Sequence, residues 1–127
     1  MNDENISQAH LEMHNARAMG EAGLYFQLME EAGELVQACA KKLRAMGHGQ
    51  PLAKDLTEED VEHNFLEEAE DTMLVIDEIL LIRALQGKKH DFIDTYEAQV
   101  KEIHNIQIDK LERTAARYEE AEHAGRK

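Results

Sequence analysis

The sequence predicts an all-α fold, an antiparallel bundle of three long helices with a short helix before them. The first reason is that few residues interrupt a helix, because the 127 residues contain one proline and seven glycines. A fold made of many short strands needs more turn residues than this. The second reason is that apolar residues recur every three or four positions over long stretches, which is the period of one helix face.

The four helices can be placed from their start and stop signals. The short first helix is predicted over 6–19, before a glycine, and the second over 22–46. The segment 47–57 is predicted as a loop, because it holds two glycines and the only proline. The third helix, 57–86, begins at a threonine that can accept hydrogen bonds from the free amides of the first turn. The fourth extends over 91–123 and is also amphipathic.

The chain length predicts one domain, and the third helix predicts that this domain assembles with a second copy. A chain of 127 residues fits one domain over 1–127, with ends that fray at about 1–5 and 124–127. In the third helix the apolar residues between Met73 and Leu85 point in nearly every direction, so the helix needs cover on most of its sides. One chain with three long helices can hardly supply that cover. We therefore expect at least a homodimer.

The charge of the chain limits its partners. It has 27 acidic and 14 basic residues, a formal net charge of −13. Binding to nucleic acid or to an anionic membrane depends on Lys and Arg, so neither partner is expected. No segment is long and apolar enough to cross a bilayer, and the polar, acidic start lacks the features of a targeting signal. We expect a cytoplasmic protein, with its single cysteine, Cys39, as a small core residue.

Four acidic residues lie where the apolar pattern predicts burial. Glu31 and Glu34 lie at the margin of the apolar face of the second helix, and Glu68 and Asp71 lie in the apolar face of the third. The members of each pair are three residues apart, so their side chains point the same way. Mutual repulsion is about 4 kcal/mol per close pair at an effective dielectric constant of ~20, on top of the desolvation of each carboxylate.

A divalent cation can compensate this repulsion, and carboxylate oxygens suit Mg²⁺ or Mn²⁺ better than Zn²⁺. Two antiparallel helices packed about 8–10 Å apart place both pairs within reach of one ion. The alternative is structural: the acids pair with lysines or lie at the edge of each apolar face. The sequence therefore predicts a Mg²⁺ site, with Mn²⁺ as a possible substitute.

The two acidic segments also resemble a known signature. The segments EEAGE at 30–34 and EAED at 68–71 are similar to the EExxE…ExxD motif of the MazG-like all-α nucleoside triphosphate pyrophosphohydrolases, and the resemblance covers about residues 18–115. It implies a helical bundle that forms a homodimer or homotetramer. It also implies hydrolysis of a nucleoside or deoxynucleoside triphosphate to the monophosphate and pyrophosphate. The catalytic and metal-binding residues would be Glu31, Glu34, Glu68 and Asp71.

Several further residues are candidates to bind this substrate. Basic side chains can neutralise phosphate oxygens, and an amide can contact the base or the sugar. For each basic residue, an exposed side chain that binds no substrate is an alternative of equal weight. The candidates are Lys41 (or its neighbour Lys42), Arg44, Asn64, Lys110 and Arg113.

Two other functions stay open at this point. One is phosphoribosyl-ATP pyrophosphohydrolase activity, which belongs to the same superfamily, although this chain is longer than that reaction requires. The other is a non-catalytic helical dimer that acts as an interaction module, with the acids as a salt-bridge set. Turnover of nucleotides in the presence of Mg²⁺ separates the two pyrophosphohydrolase activities from the non-catalytic module.

Overall fold

The computed structural model describes residues 3–87 and 91–125, and it describes the side chains from residue 8 onwards in these ranges. These residues form three helices and no strand: α1, Asp3–Ala45; α2, Glu58–Leu85; and α3, Phe92–Gly125. The all-α prediction is confirmed. Within the described ranges no helix has an apolar stretch of the length that a bilayer requires. The predicted frayed ends lie partly outside the described residues.

The chain forms two compact units, Met1–Gln86, which contains α1 and α2, and Gly87–Lys127, which contains α3. In α3 the predicted apolar face is present in the sequence, but no described residue of this helix is buried. Val100 is 43% exposed and Tyr118 is 70% exposed. The assignment of 1–127 to one domain stays a prediction.

Gly20 interrupts α1, where the sequence predicted the end of a separate short helix. The structure has one helical element over Asp3–Ala45, in which Gly20 has φ 72° and ψ 167°. Glu12 contacts Asp77, whereas Glu21 accepts a hydrogen bond from Gln86 at the far end of α2. A straight helix would carry residue 12 about 13 Å beyond residue 21 and past the end of α2. The chain therefore folds back on α2 at Gly20.

The part of α1 that follows Gly20 runs antiparallel to α2. The core of this unit is formed by apolar side chains from both sides of Gly20 and from the second half of α2: Ala16, Leu24, Val75, Ile79 and Ile82, with Leu28 and Leu85 packed against them. Three polar contacts follow the pair from one end to the other and join Gln86 to Glu21 (2.7 Å), the Thr72 hydroxyl to the Glu31 carbonyl (3.5 Å) and Lys42 to Glu62. The middle contact brings the two acidic segments to the same level.

The start of α2 agrees with the prediction. Thr57 is the N-cap, and its hydroxyl accepts a hydrogen bond from the Asp60 amide (3.1 Å), while the Asp60 carboxylate accepts one from the Thr57 amide (3.1 Å). This reciprocal pair satisfies two amide groups that have no partner inside the helix. The prediction that Cys39 lies in the core is wrong, because its side chain is exposed on α1.

Replacing Gly20 with alanine is expected to lower the free energy of unfolding by about 1–3 kcal/mol, because this backbone conformation is restricted to glycine. No atom lies within 4 Å of the Cβ that would be added, so the loss comes from the backbone and not from a clash. Gly33→Ala is the matched control: Gly33 lies inside the helix with equal space around it. There alanine is expected to add about 0.5–1 kcal/mol. Urea denaturation measures the change in the free energy of unfolding for both variants. A change of the same sign in the two variants would contradict the role of Gly20.

Candidate functional site

Three of the four predicted acids converge in the first unit. Glu31 of α1 and Glu68 and Asp71 of α2 each offer a carboxylate oxygen, and these oxygens lie within 4.8 Å of one another. All three residues are half-buried. The convergence follows from the spacing along α2, where residues three apart share a face, and from the contact of Thr72 with the Glu31 backbone. We call these three residues the acidic cluster.

Two oxygens of the acidic cluster are buried without a partner. Glu31 Oε2 and Glu68 Oε2 have almost no exposed surface, and no described residue forms a hydrogen bond with them. Buried carboxylate oxygens are normally hydrogen-bonded or coordinate a metal ion. The arrangement therefore fits a bound cation better than it fits a set of salt bridges.

The electrostatics of the acidic cluster oppose its ionisation. Burial raises the pKa of Glu31, and the nearby charges of Glu34 and Asp71 raise it further. Burial also raises the pKa of Glu68, with added contributions from Glu34 and Asp71. A divalent cation reverses this preference because it stabilises the ionised form of every carboxylate around it.

Glu34, the fourth predicted ligand, is exposed and lies beside the acidic cluster. Its carboxyl group forms hydrogen bonds with Glu31 and with Glu68. A hydrogen bond between two carboxyl groups requires a proton on one of them. Direct coordination of a metal by Glu34 stays a prediction.

The predicted substrate-binding residues occupy several places. In the first unit Lys41 and Asn64 are half-buried and Arg44 is exposed, while Lys42 forms an ion pair with Glu62. In the second unit Arg113 forms an ion pair with Asp109 (3.0 Å). Two of the predicted residues also line a cavity of about 260 Å³ on α3, together with another cation and a hydroxyl: Lys110, Arg113, Thr114 and Arg117. Contact of any of these residues with a substrate stays a prediction.

A second group of acids was missed by the sequence analysis. Glu12 forms a hydrogen bond with Asp77, and its Oε1 atom is buried without a partner among the described residues. Glu78, next along α2, is only 5% exposed. Asp77 and Glu78 were visible as charges inside an apolar stretch. Their neighbour Glu12 was not, because its position depends on the reversal at Gly20.

The Glu12 contact predicts a pH-dependent stability. Burial, the hydrogen bond with Asp77 and the charge of Asp77 raise the pKa of Glu12 from 4.5 to about 8. Between these values the folded chain keeps a proton that the unfolded chain releases, so the free energy of unfolding falls as the pH rises from about 4.5 to 8. Glu12→Gln, which cannot ionise, is expected to reduce this slope, as measured by urea denaturation across that window. An unchanged slope in the variant would contradict the assignment.

No family model, no curated protein and no solved structure matches this chain.

Proposed function

We propose that this protein is a Mg²⁺-dependent nucleotide pyrophosphohydrolase, which hydrolyses a nucleoside or deoxynucleoside triphosphate to the monophosphate and pyrophosphate. The main support is the acidic cluster, in which Glu31, Glu68 and Asp71 converge with two buried oxygens that have no partner. These residues belong to the two segments that resemble the MazG-like signature. A shared metal ion would explain both the acidic pattern of the sequence and the convergence of these three side chains.

The donor set favours Mg²⁺, with Mn²⁺ as a substitute. It consists of carboxylate oxygens alone, which are hard ligands. Glu31, Glu68 and Asp71 would hold the ion. When bound, the ion neutralises charge on the phosphates and lowers the pKa of a coordinated water molecule.

The remaining roles fall to side chains around the acidic cluster. Glu34 is exposed and already shares hydrogen bonds with two members of the cluster, so we assign to it the acceptance of the proton from the attacking water. Lys41 and Arg44 lie two to four turns beyond Glu31 on α1 and are proposed to bind the phosphate tail. Asn64 is proposed to contact the nucleoside.

We also propose that the protein acts as a homodimer or homotetramer in the cytoplasm. The support for assembly is apolar surface: Phe26, Met29 and Met73 are each at least 70% exposed in the first unit. Such surface is normally covered by a partner. Sedimentation is expected to give a mass of at least twice the 14.5 kDa of one chain. A monomer at micromolar concentration would contradict the assembly.

The activity is tested with a panel of ribonucleoside and deoxynucleoside triphosphates and phosphoribosyl-ATP, each incubated with Mg²⁺ or with EDTA. Pyrophosphate release from at least one triphosphate, abolished by EDTA, is the expected result. Release from phosphoribosyl-ATP alone would assign the activity to histidine synthesis. If no compound of the panel releases pyrophosphate, with a folded protein and Mg²⁺ present, the proposed function is overturned and a non-catalytic helical module is favoured.

A further inference from the structure

Helix α3 carries an apolar stripe that is open to solvent over most of its length. Every residue from 100 to 125 is exposed, and the apolar side chains of Val100, Ile103, Leu111 and Tyr118 are between 43% and 70% exposed. Most of the stability of a helix in a protein comes from the packing of its apolar face. A helix of 34 residues with this face in water therefore needs a partner surface.

The spacing of this stripe is the same in both directions along the helix. Its positions lie on one side of α3 and are separated by steps of 4, 3, 4, 4, 3 and 4 residues: 96, 100, 103, 107, 111, 114 and 118. The spacing is thus symmetric about Gln107. Two identical parallel helices are in register whatever their spacing, whereas two antiparallel ones match layer by layer only if the spacing is symmetric. The stripe therefore indicates an antiparallel pair of α3 helices.

Reversal about Gln107 matches the layers by character as well as by position. The facing pairs, each from opposite copies, are Ile103 with Leu111, Val100 with Thr114, and Tyr96 with Tyr118. At the centre the two Gln107 amides face each other, and each amide has donors and an acceptor for the other. A single polar layer inside an apolar stripe fixes the register of paired helices. The stripe is about 33 Å long, or about three heptads, which is the length that a coiled coil needs.

The charges beside the stripe agree with the same pairing. Lys101 and Glu112 lie three turns apart on one flank, and Glu102 and Arg113 lie three turns apart on the other. In an antiparallel pair each flank faces the same flank of the second copy. Lys101 then lies within one residue of the level of Glu112, and Glu102 within one residue of the level of Arg113. The guanidinium of Arg113 has five N–H donors, so its ion pair with Asp109 leaves donors for Glu102.

The distribution of charge between the two units also favours α3 as the surface that meets a second copy. The first unit, 1–86, has 18 acidic and 6 basic residues, whereas 87–127 has 9 acidic and 8 basic residues. The second unit therefore approaches its own copy with the smaller electrostatic repulsion. We propose that α3 packs antiparallel against α3 of a second copy of this chain, centred on Gln107. This pairing does not depend on the proposed hydrolysis.

Disulfide cross-linking of the full chain tests the pairing. Gln107→Cys, made in a Cys39→Ser background so that the chain has one thiol, is expected to oxidise to a covalent dimer at micromolar concentration. Asn105→Cys is the matched control, because residue 105 is also exposed but lies on the opposite side of α3. The cross-linked fraction of Gln107→Cys is expected to be at least about 5-fold that of Asn105→Cys, since cysteines whose Cα atoms are more than about 7 Å apart cannot be bridged. Equal fractions would overturn the pairing.

Two further variants in the same background determine the direction of the helices. Ile103→Cys and Leu111→Cys are each expected to cross-link weakly alone, and at least about 5-fold more when they are mixed before oxidation, because the antiparallel layer joins residue 103 of one copy to residue 111 of the other. Strong cross-linking of each variant alone would show a parallel pair and overturn the inference. A dimer in sedimentation without these cross-links would also overturn it, and would leave the proposed hydrolysis and assembly through another surface intact.

Discussion

Glu68→Gln is expected to lower pyrophosphate release from the best substrate of the panel by about 10²- to 10³-fold, because it removes one charged ligand from the proposed metal site. The substitution keeps the size of the side chain. It changes a carboxyl oxygen that is buried and has no described partner into part of an amide that cannot ionise. Stopped assays at saturating Mg²⁺ measure the loss.

Glu67→Gln is the matched control for this prediction. Glu67 is the residue before Glu68, has the same chemistry, and is exposed beside His63 (3.4 Å). Its activity is expected to stay within about 2-fold of the wild type, because changes at exposed positions away from a site have small effects. Similar losses in both variants would show that charge in this region, and not coordination by Glu68, supports activity. Full activity of Glu68→Gln would remove Glu68 from the mechanism.

The second large effect concerns stability, and Glu31→Gln is expected to change it in opposite directions with and without Mg²⁺. Without the ion, the variant is expected to be more stable than the wild type by about 1 kcal/mol, because one carboxylate leaves a crowded group. With Mg²⁺ at 100 times its dissociation constant, the wild type is expected to gain about 2.7 kcal/mol and the variant much less. Thermal unfolding with EDTA and with Mg²⁺ measures both changes.

Because the stability difference between Glu31→Gln and the wild type changes sign when Mg²⁺ is added, this prediction distinguishes a metal ligand from a structural residue. A Glu31 that only packs against α2 or forms a surface salt bridge would lose stability on substitution in both conditions. Glu30→Gln, which changes the exposed preceding residue, is the control and is expected to behave like the wild type in both conditions. A Glu31→Gln protein that is less stable than the wild type in EDTA would contradict the repulsion on which the metal site is based.

The sequence predicted the helices because their signals are local. The N-cap at Thr57 and the all-α class require only short-range chemistry, namely capping and periodicity. The pairs Glu31–Glu34 and Glu68–Asp71 were found for the same reason, since a spacing of three fixes a common side of the helix. Which member of each pair turns inward depends on the rotation of the packed helices. Glu34 is consequently exposed while Glu31 is half-buried.

The contact between Glu12 and Asp77 was not predictable because these residues are far apart in the chain. Gly20 indicated an interruption, but not the direction in which the chain leaves it. Glu12 lies in a polar stretch of the sequence, and only the reversal at Gly20 places it against Asp77. The exposure of Cys39 has a similar cause, since its alanine-rich surroundings do not reveal which side of α1 faces α2.

Binding of Mn²⁺, followed by electron paramagnetic resonance of the free ion, is the most direct test of the acidic cluster as a metal site. The wild type is expected to bind Mn²⁺ saturably, and Mg²⁺ is expected to displace it. Glu68→Gln is expected to lose this binding, and Glu67→Gln is expected to retain it. Absence of saturable binding in the wild type, or equal binding in Glu68→Gln, would contradict the assignment of Glu31, Glu68 and Asp71 as metal ligands.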